Sequence, residues 1–121
     1  WTQKGGDIDG EGEADYDSSG WSVSLSDDGN TVAIGATQND GNGNSSGHVR
    51  VYKYDNVNGW TQKGGDIDGE AADDNSGFSV SLSDDGNTVA IGAIGNNNDN
   101  GDCDVLGRTT RRVFNRILIG Q

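Results

Sequence analysis

The chain has 121 residues, of which 20 are acidic and 8 are basic, and only 30% are hydrophobic, so its net charge is −12. This apolar fraction is below the roughly 45–50% usual for globular chains, which argues against a thick core or a buried α/β sheet. No run approaches the roughly 18 apolar residues of a membrane span, and so acidic a surface repels nucleic-acid phosphates. We therefore expect no membrane insertion and no nucleic acid as a partner.

The charge is unevenly distributed along the chain. Residues 1–104 carry a net charge of −16, whereas residues 105–121 carry +4 and no acidic group. We therefore interpret 105–121 as a divergent basic tail or a degenerate strand, with Arg112–Phe114 as a candidate strand within it. The acidic, Asn-, Gly- and Ser-rich remainder suits an extracellular or cell-surface protein.

Two long segments occur twice without change. Trp1–Glu11 recurs at Trp60–Glu70, and Ser22–Ala36 recurs at Ser79–Ala93. Identity over this length indicates a tandem duplication, so both copies should adopt the same supersecondary structure. Because the first residue already lies inside a copy of the repeat, we expect the chain to be a piece of a longer protein.

The first half of one repeat predicts a β-hairpin. In Ser22–Ser26, Val23 and Leu25 alternate with serines, which is the period of a half-buried strand. Asp27–Asn30 then supplies the Asp, Gly and Asn residues of a tight turn. Thr31–Ala36 returns as a strand rich in β-branched residues.

The second half of the repeat predicts two further strands. A polar loop, Thr37–Gly47, has no apolar anchor, and we expect it to be solvated. His48–Tyr54 is the third strand, with Val49 and Val51 on one face. A turn then leads into a fourth strand that begins with Trp60–Lys63. No segment shows a helical apolar stripe.

Four short antiparallel strands in a unit of about 60 residues describe one blade of a β-propeller. The predicted fold is all-β: an incomplete propeller with one full blade over about 21–63 and parts of two neighbours, the second beginning near residue 78. A β-solenoid and disorder are the alternatives. Solenoid coils are usually shorter. Low hydrophobicity favours disorder, but the three tryptophans and the clean strand alternation oppose it. Because two blades cannot close a ring of about four to eight, the expected partners are the remaining blades of a parent chain, or copies of this chain.

The repeat resembles a known family. Gly20–Ser24 and Gly77–Ser81 look like the first half of an FG-GAP repeat, Thr31–Ala36 looks like the second half, and Gly47–Tyr52 looks like the strand that follows. The resemblance covers residues 1–93. It implies blades of the integrin-α type of seven-bladed propeller and a role in extracellular interaction or cell adhesion.

Neither predicted hairpin matches the calcium-binding loop of FG-GAP repeats. Asp27–Asn30 is too short a turn to supply the six to eight oxygens that Ca²⁺ prefers. The better candidates for a calcium site are the alternate carboxylates of the two identical DIDGE segments: Asp7, Asp9, Glu11, Asp66, Asp68 and Glu70. The competing and favoured interpretation is an acidic loop between blades, since the spacing is not that of an EF-hand. Calcium is thus the one candidate cofactor.

No catalytic residues are predicted. The chain has a single histidine, a single cysteine and no G-x-S-x-G motif, so no Ser-His-Asp set can be assembled. The aromatic residues that recur with the repeat are interpreted as inter-blade core. They are Trp1, Trp21, Trp60 and Phe78.

The predicted function is therefore a non-catalytic extracellular or cell-surface module that binds protein or glycan through the loops of a propeller. Two alternatives stay open. The chain could be a fragment of a secreted propeller hydrolase whose catalytic residues lie outside it, or a purely structural repeat array. Because one fold serves many functions, the fold does not decide between them.

Overall fold

The computed structural model describes residues 1–11, 16–95 and 101–107. Within these ranges the chain is all-β and its strands are antiparallel, which confirms the predicted fold class. The strands are β1 (Ser19–Leu25), β2 (Thr31–Ala36), β3 (His48–Asp55), β4 (Gly59–Gln62), β5 (Ile67–Asp68), β6 (Ser76–Leu82), β7 (Val89–Ala93) and β8 (Asp102–Leu106). The described part of the chain has no helix long and apolar enough to cross a bilayer.

The first sheet is the predicted four-stranded blade. Its strands run β1-β2-β3-β4 in consecutive antiparallel pairs, and β5 pairs with β3 beyond the end of β4. The four main strands overlap the four predicted segments, and β2 has the predicted bounds. The short β5 was not predicted, because Ile67 and Asp68 belong to an acidic segment that we interpreted as a loop.

The turn between β1 and β2 is built by its own side chains. The Ser26 hydroxyl donates to Asp28 Oδ1 over 2.8 Å, and the backbone amide of Asn30 donates to the same oxygen over 2.9 Å. The Thr31 amide donates in turn to Ser26 Oγ. The same three hydrogen bonds recur from Ser83 to Thr88 in the second copy. The sequence S-D-D-G-N-T therefore specifies this hairpin locally.

The second sheet contains the three strands β6-β7-β8. Its third strand is β8, which pairs Leu106 with Val89 and Asp102 with Ala93. It crosses the boundary predicted between residues 104 and 105, because the change in net charge there does not interrupt the strand. Arg112–Phe114, the candidate strand in the tail, lies outside the described residues.

The core lies between the two sheets. The first sheet contributes Ala33, Val49 and Val51, so the face of β3 that was predicted to carry both valines is the inward one. The second sheet contributes Leu82, Val89, Ile91 and Leu106. Backbones also approach closely here, since a Cβ on Gly35 would collide with the carbonyl oxygen of Gly77. The two repeats therefore share one core.

The predicted burial of β1 is wrong for the first copy. Val23 and Leu25 are 63% and 58% exposed. It is the serines that face the second repeat, because Ser22 Oγ donates to the carbonyl of Gly77 over 2.7 Å and Ser24 Oγ accepts from the Leu82 amide over 2.9 Å. Alternation identified the two faces of the strand but not which face another sheet covers.

The recurring aromatic residues do not form a core between the repeats. Trp1 is fully exposed. Trp21 and Phe78 contact each other across the two repeats, with ring centroids 5.7 Å apart, but Trp21 is 55% exposed and Phe78 is 40% exposed. Trp60 instead packs edge-on against Tyr54 of the neighbouring strand, at 5.3 Å. These rings lie at the rim, since the residues between the sheets are aliphatic.

Candidate functional site

The structure does not gather the six predicted calcium ligands into one site per DIDGE segment. Instead, Glu11 of the first segment and Asp66 of the second meet at Arg50 on β3. Asp68 lies beside His48, its partner in the β3–β5 pairing. The remaining three are placed differently: Asp7 accepts a hydrogen bond from Gln3, Asp9 lines a small crevice beside Glu11, and Glu70 lies near β8.

Arg50 holds the two acidic segments together. Its Nε donates to Asp66 Oδ1 over 2.7 Å and its Nη2 donates to Asp66 Oδ2 over 3.0 Å, which is the bidentate geometry suited to a guanidinium. The guanidinium also forms an ion pair with Glu11. Gln62 donates to Asp66 as well, over 2.7 Å. Arg50 is available because it alternates along β3 with the buried Val49 and Val51.

The pKa values of this pair shift as expected for a charged partnership. Burial raises the pKa of Asp66, but hydrogen bonds from Gln62 and Arg50 and the guanidinium charge outweigh it, so that the pKa lies below its usual value. Burial likewise lowers the pKa of Arg50, but hydrogen bonds with Asp66 and Tyr52 outweigh it, so that the pKa of Arg50 lies above its usual value. A single guanidinium thus already pairs with two of the predicted calcium ligands.

His48 is buried next to this group. Its Nδ1 lies 4.0 Å from Asp68 Oδ1. Glu11, His48 and Asp66 each offer one donor atom, and these atoms lie within 4.8 Å of one another. A metal ion at this place would have to displace the guanidinium of Arg50 from two carboxylates.

The corresponding place in the second repeat has a different charge. The strand pairings set Asp102 opposite Ala93 and Asp104 opposite Ile91, where the first repeat has His48 and Arg50. Oxygens of Asp102, Asp104 and Glu70 lie within 4.8 Å of one another. Sequence analysis missed both aspartates, because β8 has no β-branched alternation to align it with β3. The available signal was the position of this segment shortly after β7, where β3 follows β2 in the first repeat.

The loop between β2 and β3 was predicted to be solvated, and this is wrong for part of it. Asn39 and Ser46 are buried. The Asn39 amide donates to Glu11 Oε2 and Asp17 Oδ2 over 3.2 and 3.3 Å, and its Oδ1 accepts from the Gly41 amide. The loop is therefore fixed both by a hydrogen bond within it and by bonds to residues that precede β1.

The second repeat also braces this loop. Asn42 Nδ2 donates to the carbonyl oxygens of Gly69 and Glu70, over 2.8 and 3.1 Å. Backbone amides of residues 73, 75 and 76 donate to the carbonyl oxygens of residues 44, 45 and 46. Gly47 adopts φ = 76°, where a side chain would collide with the backbone of Ser76. The loop and the second repeat thus form one ordered surface.

The exposed side chains of this surface are polar or acidic. We call them the loop face: Gln38, Asp40, Asn42, Asn44, Glu70 and Asp73. Carboxylate and amide groups at these positions can accept hydrogen bonds from hydroxyl, amide and ammonium groups, and the amides can also donate. The loop face is the candidate binding surface of the described residues.

The fold defines the class of the protein: it consists of tandem antiparallel blades of the β-propeller type, packed face to face. Residues 2–52 match the family model described as FG-GAP repeat. Residues 2–52 therefore contain an FG-GAP repeat, as the resemblance implied. No curated protein matches it.

Proposed function

We propose that the chain is a non-catalytic interaction module that binds a protein or glycan through the loop face. The observation that carries the proposal is the bracing of the loop by hydrogen bonds on both sides, from Asn39 to Glu11 and from Asn42 to Gly69. A surface ordered before binding loses less conformational entropy when a ligand docks. The FG-GAP repeat at residues 2–52 suggests a propeller-type interaction module, which supports the proposal at the level of the family.

The charge of the loop face restricts the ligand. Asp40, Glu70 and Asp73 contribute to the net charge of −12. The electrostatic field of the protein therefore attracts cationic ligands and repels polyanions. The amides of Asn42 and Asn44 suit sugar hydroxyls or peptide groups. We therefore expect neutral glycans or lysine- and arginine-rich peptides. An acidic, polar surface also fits the proposed extracellular or cell-surface location.

An array experiment tests this proposal. The labelled chain is applied to arrays of neutral glycans, anionic glycans and basic peptides, and each signal is compared with that of a Gln38→Ala/Asn44→Ala variant. These two side chains make none of the bracing hydrogen bonds, so the loop should keep its shape. The matched control is Asn56→Ala, in the turn at the other end of β3.

The expected result is binding to a neutral or cationic probe that the double variant weakens at least about tenfold, or 1.4 kcal/mol. The control variant should bind like the parent chain. Binding that both variants leave unchanged would place the ligand elsewhere. No binding to any probe would favour a purely structural array.

Calcium binding by the DIDGE carboxylates stays a separate proposal. Calorimetric titration of calcium into the chain and into a Glu70→Gln variant tests it. The proposal predicts heat that the variant reduces, together with a rise in the unfolding temperature of the parent chain. No heat and no thermal shift at millimolar calcium would contradict it.

A further inference from the structure

Two aromatic side chains lie exposed at the end of the sheets that carries the loop face. Trp21 on β1 is 55% exposed and Phe78 on β6 is 40% exposed. Their rings contact each other across the repeats, with centroids 5.7 Å apart and planes inclined by 43°. Single exposed apolar residues are common on protein surfaces, but an adjoining pair of rings is a more specific feature.

An irregularity in each sheet accompanies the exposed ring. In the pairing of β1 with β2, the register shifts between Ser19 and Ser22, and Trp21 lies within this shift. The same shift occurs around Phe78, in the pairing of β6 with β7. Irregularities of this kind re-aim a side chain, and they are frequent beside functional sites. Both repeats therefore use the same backbone feature to present an aromatic ring outside the core.

The residues just before each ring belong to the loop face or are hydrogen-bonded to it. Before Trp21, the carbonyl oxygen of Asp17 accepts from the amide of the loop-face residue Gln38, over 3.3 Å. Before the second ring, Asn75 Nδ2 donates to the carbonyl oxygen of Asp73, which is itself in the loop face, over 3.1 Å. The two rings therefore adjoin a surface of carboxylates and amides.

A sugar matches this combination of groups. The face of an aromatic ring carries negative partial charge, whereas the C–H groups on one face of a pyranose are polarised positively. The two faces therefore attract each other, and their contact also removes apolar area from water. The hydroxyls around the sugar can donate to the carboxylate of Asp73 and exchange hydrogen bonds with the amide of Gln38. Aromatic side chains also lose little conformational entropy on binding.

The charge of the chain and the size of the aromatic pair restrict the ligand further. The net charge is −12, which repels anionic sugars such as uronic acids. Two aromatic side chains offer roughly 150–250 Å² each, whereas a stable protein interface takes about 800 Å² from each partner. The pair is therefore too small to anchor a protein by itself, and it suits a small neutral saccharide.

We propose that Trp21 and Phe78 form a stacking platform for a neutral saccharide, whose hydroxyls are bound by the adjoining groups of the loop face. The inference rests on the proposed function, because it selects a glycan as the ligand of the loop face and adds two aromatic residues to the binding surface. Trp21 is the principal ring, since its indole is the larger and the more exposed of the two. Neither ring belongs to the loop face, so the two parts of the site can be tested separately.

Calorimetric titration with neutral trisaccharides tests the proposal. The probes are cellotriose, mannotriose and triacetylchitotriose, with trigalacturonate as the anionic counterpart and hexalysine as a cationic peptide. The parent chain is compared with Trp21→Leu, which keeps an apolar side chain but no ring, and with Trp21→Phe, which keeps a ring. The matched control is Trp1→Ala, because it removes another indole that is fully exposed.

A nuclear magnetic resonance titration supplies a readout that a misfolded variant cannot imitate. Stacking places the C–H groups of the sugar over an aromatic ring, so their proton resonances should move upfield when the sugar binds the parent chain. The indole N–H resonance of Trp21 should move in the same titration. The indole resonances of Trp1 and Trp60 should stay in place.

The proposal predicts that a neutral trisaccharide binds and that Trp21→Leu weakens this binding at least about tenfold, or 1.4 kcal/mol. Trp21→Phe and Trp1→Ala should bind like the parent chain. Binding that survives Trp21→Leu but is lost in Gln38→Ala/Asn44→Ala would overturn the platform and leave the proposed function standing. Binding of hexalysine but of no saccharide would overturn it in favour of a peptide ligand. No binding of any probe would contradict the platform and the proposed function together.

Discussion

Ser22–Ala36 and Ser79–Ala93 have the same sequence and the same hairpin but different surroundings. Their strands pair in the same register, and their turns contain the same hydrogen bonds. Yet Leu25 is 58% exposed, whereas its counterpart Leu82 is 9% exposed. Local sequence determines the hairpin, and the neighbouring sheet determines which of its side chains are buried. Stability in such an array should follow the contacts between repeats.

The largest effect should come from removing the buried leucine. Leu82→Ala deletes a side chain that packs against the first sheet, so we expect a loss of about 2–5 kcal/mol in the free energy of unfolding. Leu25→Ala, the matched control in the identical segment, should cost under about 0.5 kcal/mol. Urea denaturation of the two variants measures the difference. Equal losses would show that both leucines are buried alike.

A smaller loss should follow from removing Arg50, whose place the second copy fills with Asp104. Arg50→Met leaves Asp66 and Glu11 without the guanidinium, and we expect a loss of about 1–3 kcal/mol. A double-mutant cycle with Asp66→Asn separates this coupling from the general effect of the substitution. Additive losses would mean that the bidentate pair contributes nothing to stability.

The aromatic contact between the repeats should contribute less again. Trp21 and Phe78 occupy corresponding positions and contact each other at 5.7 Å. A cycle of Trp21→Ala and Phe78→Ala should give a coupling of about 0.5–1.5 kcal/mol. No coupling would indicate that the two repeats do not approach each other at this rim.

The smallest expected effect is a pH dependence that both copies share. The Ser83 hydroxyl and the Asn87 amide hold the pKa of Asp85 below its usual value, and the Asn30 amide and the Ser26 hydroxyl do the same for Asp28. A depressed pKa stabilises the fold above the unfolded value of about 3.9, and the contribution is lost as the pH falls through the folded value.

Single Asp28→Ala and Asp85→Ala variants test this effect by urea unfolding between pH 7 and pH 2. Each should unfold at lower urea than the parent above about pH 5, and the difference should shrink as the pH falls below about 4. Because the two turns are alike, the two variants should behave alike. A difference that stays constant down to pH 2 would rule out the ionised carboxylate as its source.

Features encoded within a few residues could be predicted from the sequence. The hairpin from β1 to β2 follows from alternation and from the S-D-D-G-N turn, whose serine and aspartate make the observed bonds. The shared face of Val49 and Val51 on β3 follows from the same period-two pattern. Repetition then placed the second hairpin at about 78–93, and the structure has its strands at Ser76–Leu82 and Val89–Ala93.

Features that depend on distant segments could not be predicted. The exposure of Val23 depends on whether another sheet lies over it, which the strand sequence does not encode. The meeting of Glu11 and Asp66 at Arg50 joins three segments that lie far apart in the chain, so spacing within DIDGE could not reveal it. Asp102 and Asp104 were missed because their strand was recognisable only by its pairing with β7.

The central claim is that two copies of one β-unit fold alike and are stabilised by packing against each other. Methyl NOE spectroscopy of the native chain tests it most directly. We predict cross-peaks from Val49 and Val51 to Leu82 and Ile91, and none from Leu25 to the second repeat. Absence of the cross-peaks between the sheets, or helical chemical shifts in either copy, would contradict the account.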